Sequence, residues 1–230
     1  MSSIKLTYFD IEGVAEQVRL ALYLSGTEFE DIRVQFSEWA EMKPKTPYGQ
    51  LPLLTTSDSG EIRTQSNAML RWVATLKPEK GLYPNDKLFN IEEAIGVLED
   101  MNKSFSPCLY LAMRPQVFGH PEDLNQTAEG KAMIAEFRKT WVANELLKFL
   151  KYISDIIEKN GGKWLVNGDN PTIADCKAVA MLRSFTKGHM DHIDPKCLEI
   201  NPIIVDYAKR FCALEGVNGR YKNGIGSDAY

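Results

Sequence analysis

The 230-residue chain has little of what announces most chemistries. It holds only four cysteines, Cys108, Cys176, Cys197 and Cys212, far apart in the sequence. No C-x-x-C pair and no zinc-type spacing occurs. Reduced, mostly buried thiols in a cytosolic protein are the expectation. There are three histidines. His189 and His192 fall with Asp191 and Asp194 in a segment that follows Gly188 and precedes Pro195, which reads as a loop without a third well-spaced ligand. No G-x-G-x-x-G, P-loop or G-x-S-x-G occurs, so nucleotide binding and serine hydrolysis have no motif support. Positive charge is not in excess either. The net charge of −4 argues against nucleic acid as the main partner. No apolar run approaches the ~20 residues of a membrane span. The opening residues show no basic stretch followed by an apolar one, so no signal peptide is expected. Without one, the acceptor pattern Asn125-Gln126-Thr127 is read as chance.

The remaining composition, 44% hydrophobic and 25% charged, is that of an ordinary globule. The most informative stretch is Pro47-Tyr48-Gly49-Gln50-Leu51-Pro52-Leu53-Leu54. Two prolines bracket a bend with a glycine inside it, and an apolar run follows. That reads as a loop feeding a short strand, with Pro52 at an edge or turn because it has no N–H for a ladder. Such a bend leaves the backbone groups of Leu51 free to hold an extended peptide. A plain turn is the other reading.

Residues 4–9 alternate as a strand, and 10–13 turn. Val14, Val18, Ala21 and Leu22 recur at a helical period up to Gly26, and 28–34 return to a strand. This β-α-β unit favours parallel pairing across a crossover helix. A short irregular helix at 36–43 precedes the proline loop, and strands at 53–55 and 61–64 form a hairpin around Ser57-Asp58-Ser59-Gly60. A helix follows at 67–76. Together these make a compact α/β domain over 1–77 with a mixed sheet. Residues 78–86 read as a linker, and 87–230 as all-helical. Long amphipathic stretches cover 88–114 and 127–159. In the second, Ile134, Phe137, Trp141, Leu146, Phe149, Leu150, Ile153 and Ile157 trace an apolar stripe. Thr172 and Asp175 spell a capping box. A further helix covers 202–213, and the Gly-rich end from 216 reads as a loose tail.

In this order the pieces resemble a cytosolic glutathione transferase over nearly the whole length. The motifs are Leu6-Thr7-Tyr8-Phe9, Trp39 with Lys43, Tyr48-Gly49-Gln50-Leu51-Pro52, Gln65-Ser66-Asn67, Asn167-Gly168 and Pro171 to Asp175. The tyrosine-using classes are most similar, sigma and pi above all. The resemblance implies a thioredoxin-like domain, a helical domain, glutathione as co-substrate, and a cytoplasmic homodimer that conjugates small hydrophobic electrophiles in detoxification. No resident metal is expected, because of Gly96, and the charge and the absence of a long apolar run give the expectation of no nucleic acid and no membrane.

The chemistry asked of such a site suits these residue types. The glutathione thiolate, not the thiol, attacks an electrophile. A phenol that donates to the sulfur favours the charged form. By the resemblance Tyr8 is that donor; a strand tyrosine packed at a domain interface is the other reading. Leu51 and Pro52, the latter cis, match the positions that pair with the cysteinyl part. Gln65 and Ser66 match those that hold the γ-glutamyl carboxylate. A helix N-terminus attracts an anion, and a serine there also serves as a simple cap. Trp39 and Lys43 match the glycyl end, and Gln50 can bond the peptide backbone. Asp100 matches an acid that reaches the γ-glutamyl ammonium in the neighbouring subunit, or else stands on a solvated face. Tyr48 matches an aromatic key for a pocket on the partner. Phe9, Val14, Phe105 and Cys108 are candidates for the electrophile pocket, with ordinary core as the alternative.

Two departures stand out. Val14 occupies the place where sigma, alpha and pi relatives carry arginine near the sulfur. Gly96 stands where some sigma enzymes have a metal-binding aspartate. The same site could serve glutathione-dependent isomerisation or peroxide reduction. A relative that keeps the fold as a binding or structural protein is the reading from another class.

Overall fold

The computed structural model describes residues 3–221 and Gly226. Strand β1 (Ile4–Phe9) buries Ile4, Leu6 and Tyr8 on one face, as its alternation predicts. Helix α1 (Glu16–Ser25) follows a short 3₁₀ turn at Gly13–Ala15 and ends at Gly26, whose left-handed φ of 62° suits glycine. Strand β2 (Phe29–Val34) runs parallel to β1, with Tyr8 opposite Arg33. Strand β3 (Leu53–Thr56) is antiparallel to β1, and β4 (Ile62–Arg63) is antiparallel to β3. The order β2-β1-β3-β4 puts β1 inside the sheet and Tyr8 near its C-terminal end. Between β2 and β3 lies the expected irregular segment, which includes one helical turn, α2 (Trp39–Met42). Helix α3 (Ser66–Leu76) packs Met69, Leu70 and Val73 inward and closes a thioredoxin-like α/β layer.

From Leu88 onward every regular element is helical among the described residues. Helix α4 (Leu88–Met113) is the long spine. The 127–159 stretch is α5 (Ala128–Trp141), one wide π turn (Val142–Leu146) and α6 (Leu147–Lys159). The expected stripe is buried except at Phe137, which is 44% exposed. The inward position one turn beyond Ile134 is taken by Arg138, so Phe137 rotates outward. Helices α7 (Ile173–Thr186) and α8 (Pro202–Cys212) complete the bundle. The capping box at α7 forms as read: Thr172 caps the helix, and Asp175 accepts from the Thr172 N–H at 2.7 Å. Asp175 also accepts from the Leu165 N–H and the Tyr207 hydroxyl, so one buried carboxylate ties three segments together.

The expected loose tail is wrong at its start. Val217 and Tyr221 are buried, and Arg220 grips Glu16 on α1 through two hydrogen bonds of 2.6 and 2.7 Å. Glu16 is fully buried and also accepts from Arg19 and the Tyr221 hydroxyl. Residues 222–225 and 227–230 of that expectation lie outside the described residues.

Burial alone would raise the Glu16 carboxyl, but hydrogen bonds from Arg220 and the charges of Arg220 and Arg19 bring it below its ordinary value of 4.5. A carboxyl lowered in the folded state stabilises the fold above its unfolded value and loses that contribution as the pH falls through its folded one. Replacing Arg220 by Met should therefore lower unfolding free energy by about 3–5 kcal/mol at neutral pH, as when one partner of a buried pair is removed. The deficit should narrow below pH 4.5, where Glu16 protonates in the unfolded chain. Urea unfolding at both pH values checks this; equal stabilities at pH 7 would refute it.

Candidate active site

Tyr8 is set by the strand and held by the turn after it. It is only 8% exposed. Gly13 has a φ of 47°, and a Cβ there would stand 2.5 Å from the Tyr8 hydroxyl oxygen. Only glycine permits both that backbone and that approach. Burial pushes the phenol above its ordinary value of 10. The backbone amide of Val14 pulls it back, as does the Arg19 guanidinium 5.9 Å from the ring centre, and the Tyr110 phenol on α4 raises it again. The net effect is upward, so Tyr8 keeps its proton at neutral pH. It is a hydrogen-bond donor there and not a base.

Beside this turn lies a cleft of about 150 Å³ lined by Val14, Gln50, Leu51, Pro52, Thr64, Gln65 and Ser66. Three separate stretches converge on it. The Leu51–Pro52 bond is cis, as the resemblance implied. Gln65 sits at a φ of 69°, and a non-glycine residue there is strained by about 1–3 kcal/mol. That backbone turns the chain abruptly into α3, whose first residue is Ser66. The unpaired N–H groups of that first helical turn, together with the Ser66 hydroxyl, make an anion-binding end. The end is braced from below. Asn67 donates to Glu99 on α4 at 3.0 Å and accepts from Lys177 on α7 at 2.9 Å. Lys177 also pairs with Glu99, and burial lowers its ammonium below the ordinary lysine value.

The other expected residues are placed less uniformly. Trp39 is half-buried with its edge toward Phe9, at a centroid separation of 5.4 Å, and Lys43 is exposed nearby with its stem along Gly49. Tyr48 is 68% exposed. Asp100 faces solvent on α4 beside Lys103 and does not line the cleft of its own chain. Of the four electrophile-pocket candidates, only Val14 lines the cleft. Phe9 stacks on Phe36 in the aromatic group around Trp39. Phe105 and Cys108 belong to the core, 4% and 1% exposed, and Phe105 packs against Trp141 and Phe185. Both continue the inward stripe of α4 after Leu98 and Met101, whereas Tyr110 is 43% exposed and near enough to influence the Tyr8 phenol. Thr64, Gly13, Tyr110 and the Lys177 brace were not anticipated. Thr64 is adjacent to Gln65 and was within reach of the motif; the others depend on contacts across the fold.

Comparison with known proteins is consistent across sequence and structure. Residues 4–75 match the family description "Glutathione S-transferase, N-terminal domain", and residues 124–219 match "Glutathione S-transferase, C-terminal domain". A class-mu 28 kDa glutathione S-transferase isozyme of Schistosoma japonicum is 29% identical over 201 residues, covering 86% of this chain and 88% of that one. Its counterpart in Schistosoma mansoni is 30% identical, covering 80% of this chain and 79% of that one. The solved prostaglandin synthase D of Nilaparvata lugens superposes with a TM-score of 0.76 over 96% of this chain and 98% of that one, at 22% identity, a likeness of fold alone. With this fold, this cleft and these matches, the chain belongs to the glutathione S-transferase family.

Proposed function

We propose that the protein conjugates the glutathione thiolate to small hydrophobic electrophiles, with the Tyr8 hydroxyl stabilising the thiolate. The observation that carries this reading is a buried phenol against the Gly13 turn, whose next residue, Val14, lines the cleft with Leu51, Gln65 and Ser66. The Leu51 backbone is suited to pair with an extended peptide, and the N-terminus of α3 with its carboxylate. Gln50 lines that cleft, and with Trp39 and Lys43 from the segment before it suits the glycyl half. The sulfur then lies at Tyr8, where a neutral donor holds a thiolate that water would otherwise solvate. The electrophile is received between Val14 and Tyr110. Their partly exposed apolar surfaces suit a hydrophobic substrate.

The reading extends to a homodimer. Tyr48 and Asp100 both face outward, so a key residue and a carboxylate stand ready for a second subunit. A cytoplasmic setting goes with it. Among the described residues, no helix is long and apolar enough to cross a membrane.

Tyr8→Phe should slow conjugation of a broad electrophile by about 10²-fold. Its rate should also rise at higher pH than that of the natural protein, because the bound thiol moves back toward its free value of about 8.5. Equal rates and equal pH profiles would move activation to another group. For Ser66→Ala, calorimetry should show glutathione binding weakened by about tenfold, the loss of one hydrogen bond to a charged group; unchanged affinity would place the carboxylate elsewhere. Replacing Tyr48 with Ala should shift sedimentation toward monomer, and an unaltered dimer would remove the key role.

A further inference from the structure

A second cavity lies in the helical domain. It measures about 350 Å³, larger than the cleft beside Ser66. Its walls come from the end of α4, the start of α5 and the segment after α7. Ala112 lies two positions beyond Tyr110 on α4, roughly 200° round the helix, so the cavity opens away from Tyr8. It takes no part in the proposed conjugation.

The cavity contains a charge that the fold leaves unbalanced. Arg138 is only 6% exposed. Its Nε donates to the Cys108 carbonyl at 3.1 Å and its Nη1 to the Asp191 carbonyl at 2.7 Å. Both acceptors are neutral. Nη2 has no partner, and no carboxylate pairs with this guanidinium among the described residues. Arg138 Nη2 is open to the cavity and not sealed in the core. The charge pairing differs from that of the other deeply buried arginines: Arg19 pairs with Glu16 and Asp31, although its own Nη2 lacks a hydrogen-bond partner, and Arg183 pairs with Glu12. A mostly buried cation held by neutral acceptors alone, with its free nitrogen open to a cavity, is set up for an anion from outside. Lys131, one to two turns back on α5, adds a second cation to the lining, and Asn125 an amide. Asp191 and His192 form the opposite lip, the latter at a φ of 63°. With Lys131 and Arg138 positive and Asp191 negative, the walls favour one negative charge. Ala112 and Ile134 supply an apolar floor.

We infer that this cavity binds a small organic acid, its carboxylate or sulfonate head against Arg138 and Lys131 and its apolar body on Ala112 and Ile134. The volume lies at the lower end of the range for small-molecule sites, about 300–1,000 Å³. A charge-assisted fork between guanidinium and carboxylate is the strongest neutralisation that Nη2 can obtain.

The probe is 2-naphthoate, titrated into the full chain by calorimetry, with neutral 2-naphthamide as control. Saturable one-to-one binding of the acid, and not of the amide, is expected. Saturating glutathione should not displace it, and the complex should form whether or not the protein proves to be a transferase. Arg138→Met and Lys131→Ala should each weaken the acid by about tenfold or more, the worth of a hydrogen bond between charged groups. Lys131 is exposed, so its variant decides the matter if the Arg138 variant fails to fold. Lys131→Ala should leave glutathione conjugation unchanged. No saturable binding, equal binding of acid and amide, displacement by glutathione, or an unaltered affinity in Lys131→Ala would each overturn the assignment.

Discussion

Two carboxylates buried at the start of α1 set the terms for the rest of the structure. Glu12 and Glu16 stand in or beside the turn that presses on Tyr8, and neither reaches bulk water. A carboxylate in that position must be paired or neutralised. The partners come from far along the chain. Glu12 takes Arg183 from α7 and Lys187 just after it, and Glu16 takes Arg220 and Tyr221 from beyond α8. The Arg183 guanidinium lies over the Tyr221 ring at 3.6 Å, which joins the two groups into one cluster. The turn at 10–15 therefore holds its shape only when the helical domain is docked and the chain has returned to α1. The α/β layer supplies the proposed thiol-activating group, and the helical layer fixes where that group stands.

The same division holds at the other end of the cleft. Ser66 opens α3, but Asn67 behind it is held by Gln17, Glu99 and Lys177 from three different helices. Lys177 lies deep enough for burial to lower its ammonium, and Glu99 opposes that shift, so the brace is a charged pair under tension between desolvation and attraction. Both ends of the cleft are thus anchored by charge pairs across one seam, while apolar packing of α1 against α3 and α7 fills the space between them.

What the sequence made legible was local. The β-α-β unit, the hairpin, the Thr172–Asp175 box and the loop before Pro52 each rest on residues within a few positions of one another, where periodicity and turn chemistry decide the outcome. The cleft residues Leu51, Pro52, Gln65 and Ser66 were reachable because they sit at the ends of such elements. The failures are long-range. Phe105 and Cys108 looked like pocket residues, yet the face they share with Leu98 and Met101 turns into the core, a question of helix rotation that α4 alone leaves open. A glycine-rich ending reads as loose, yet Arg220 finds a carboxylate 204 residues away. Phe137 fits an apolar stripe in sequence, yet Arg138 takes the inward position because carbonyls of Cys108 and Asp191 are there to receive it.

Val14 shows how this bears on chemistry. With valine where the resemblance leads one to expect arginine, the natural inference is a missing positive charge and a weaker pull on the thiol proton. The structure adds two influences that the residue at position 14 alone hides. The Val14 amide still pulls on the phenol, and the Arg19 guanidinium lies 5.9 Å from the ring centre. Both oppose the rise that burial imposes on Tyr8, and burial still wins, so the phenol stays neutral through the range in which a thiol ionises. In the proposed reaction, a donor that does not titrate leaves the change of charge near neutral pH to the thiol it holds. The positive field at Tyr8 comes from below the ring and through a backbone dipole, and neither source requires a particular side chain at position 14. Position 14 is then free to be apolar, which suits a wall facing a hydrophobic substrate better than a cation would.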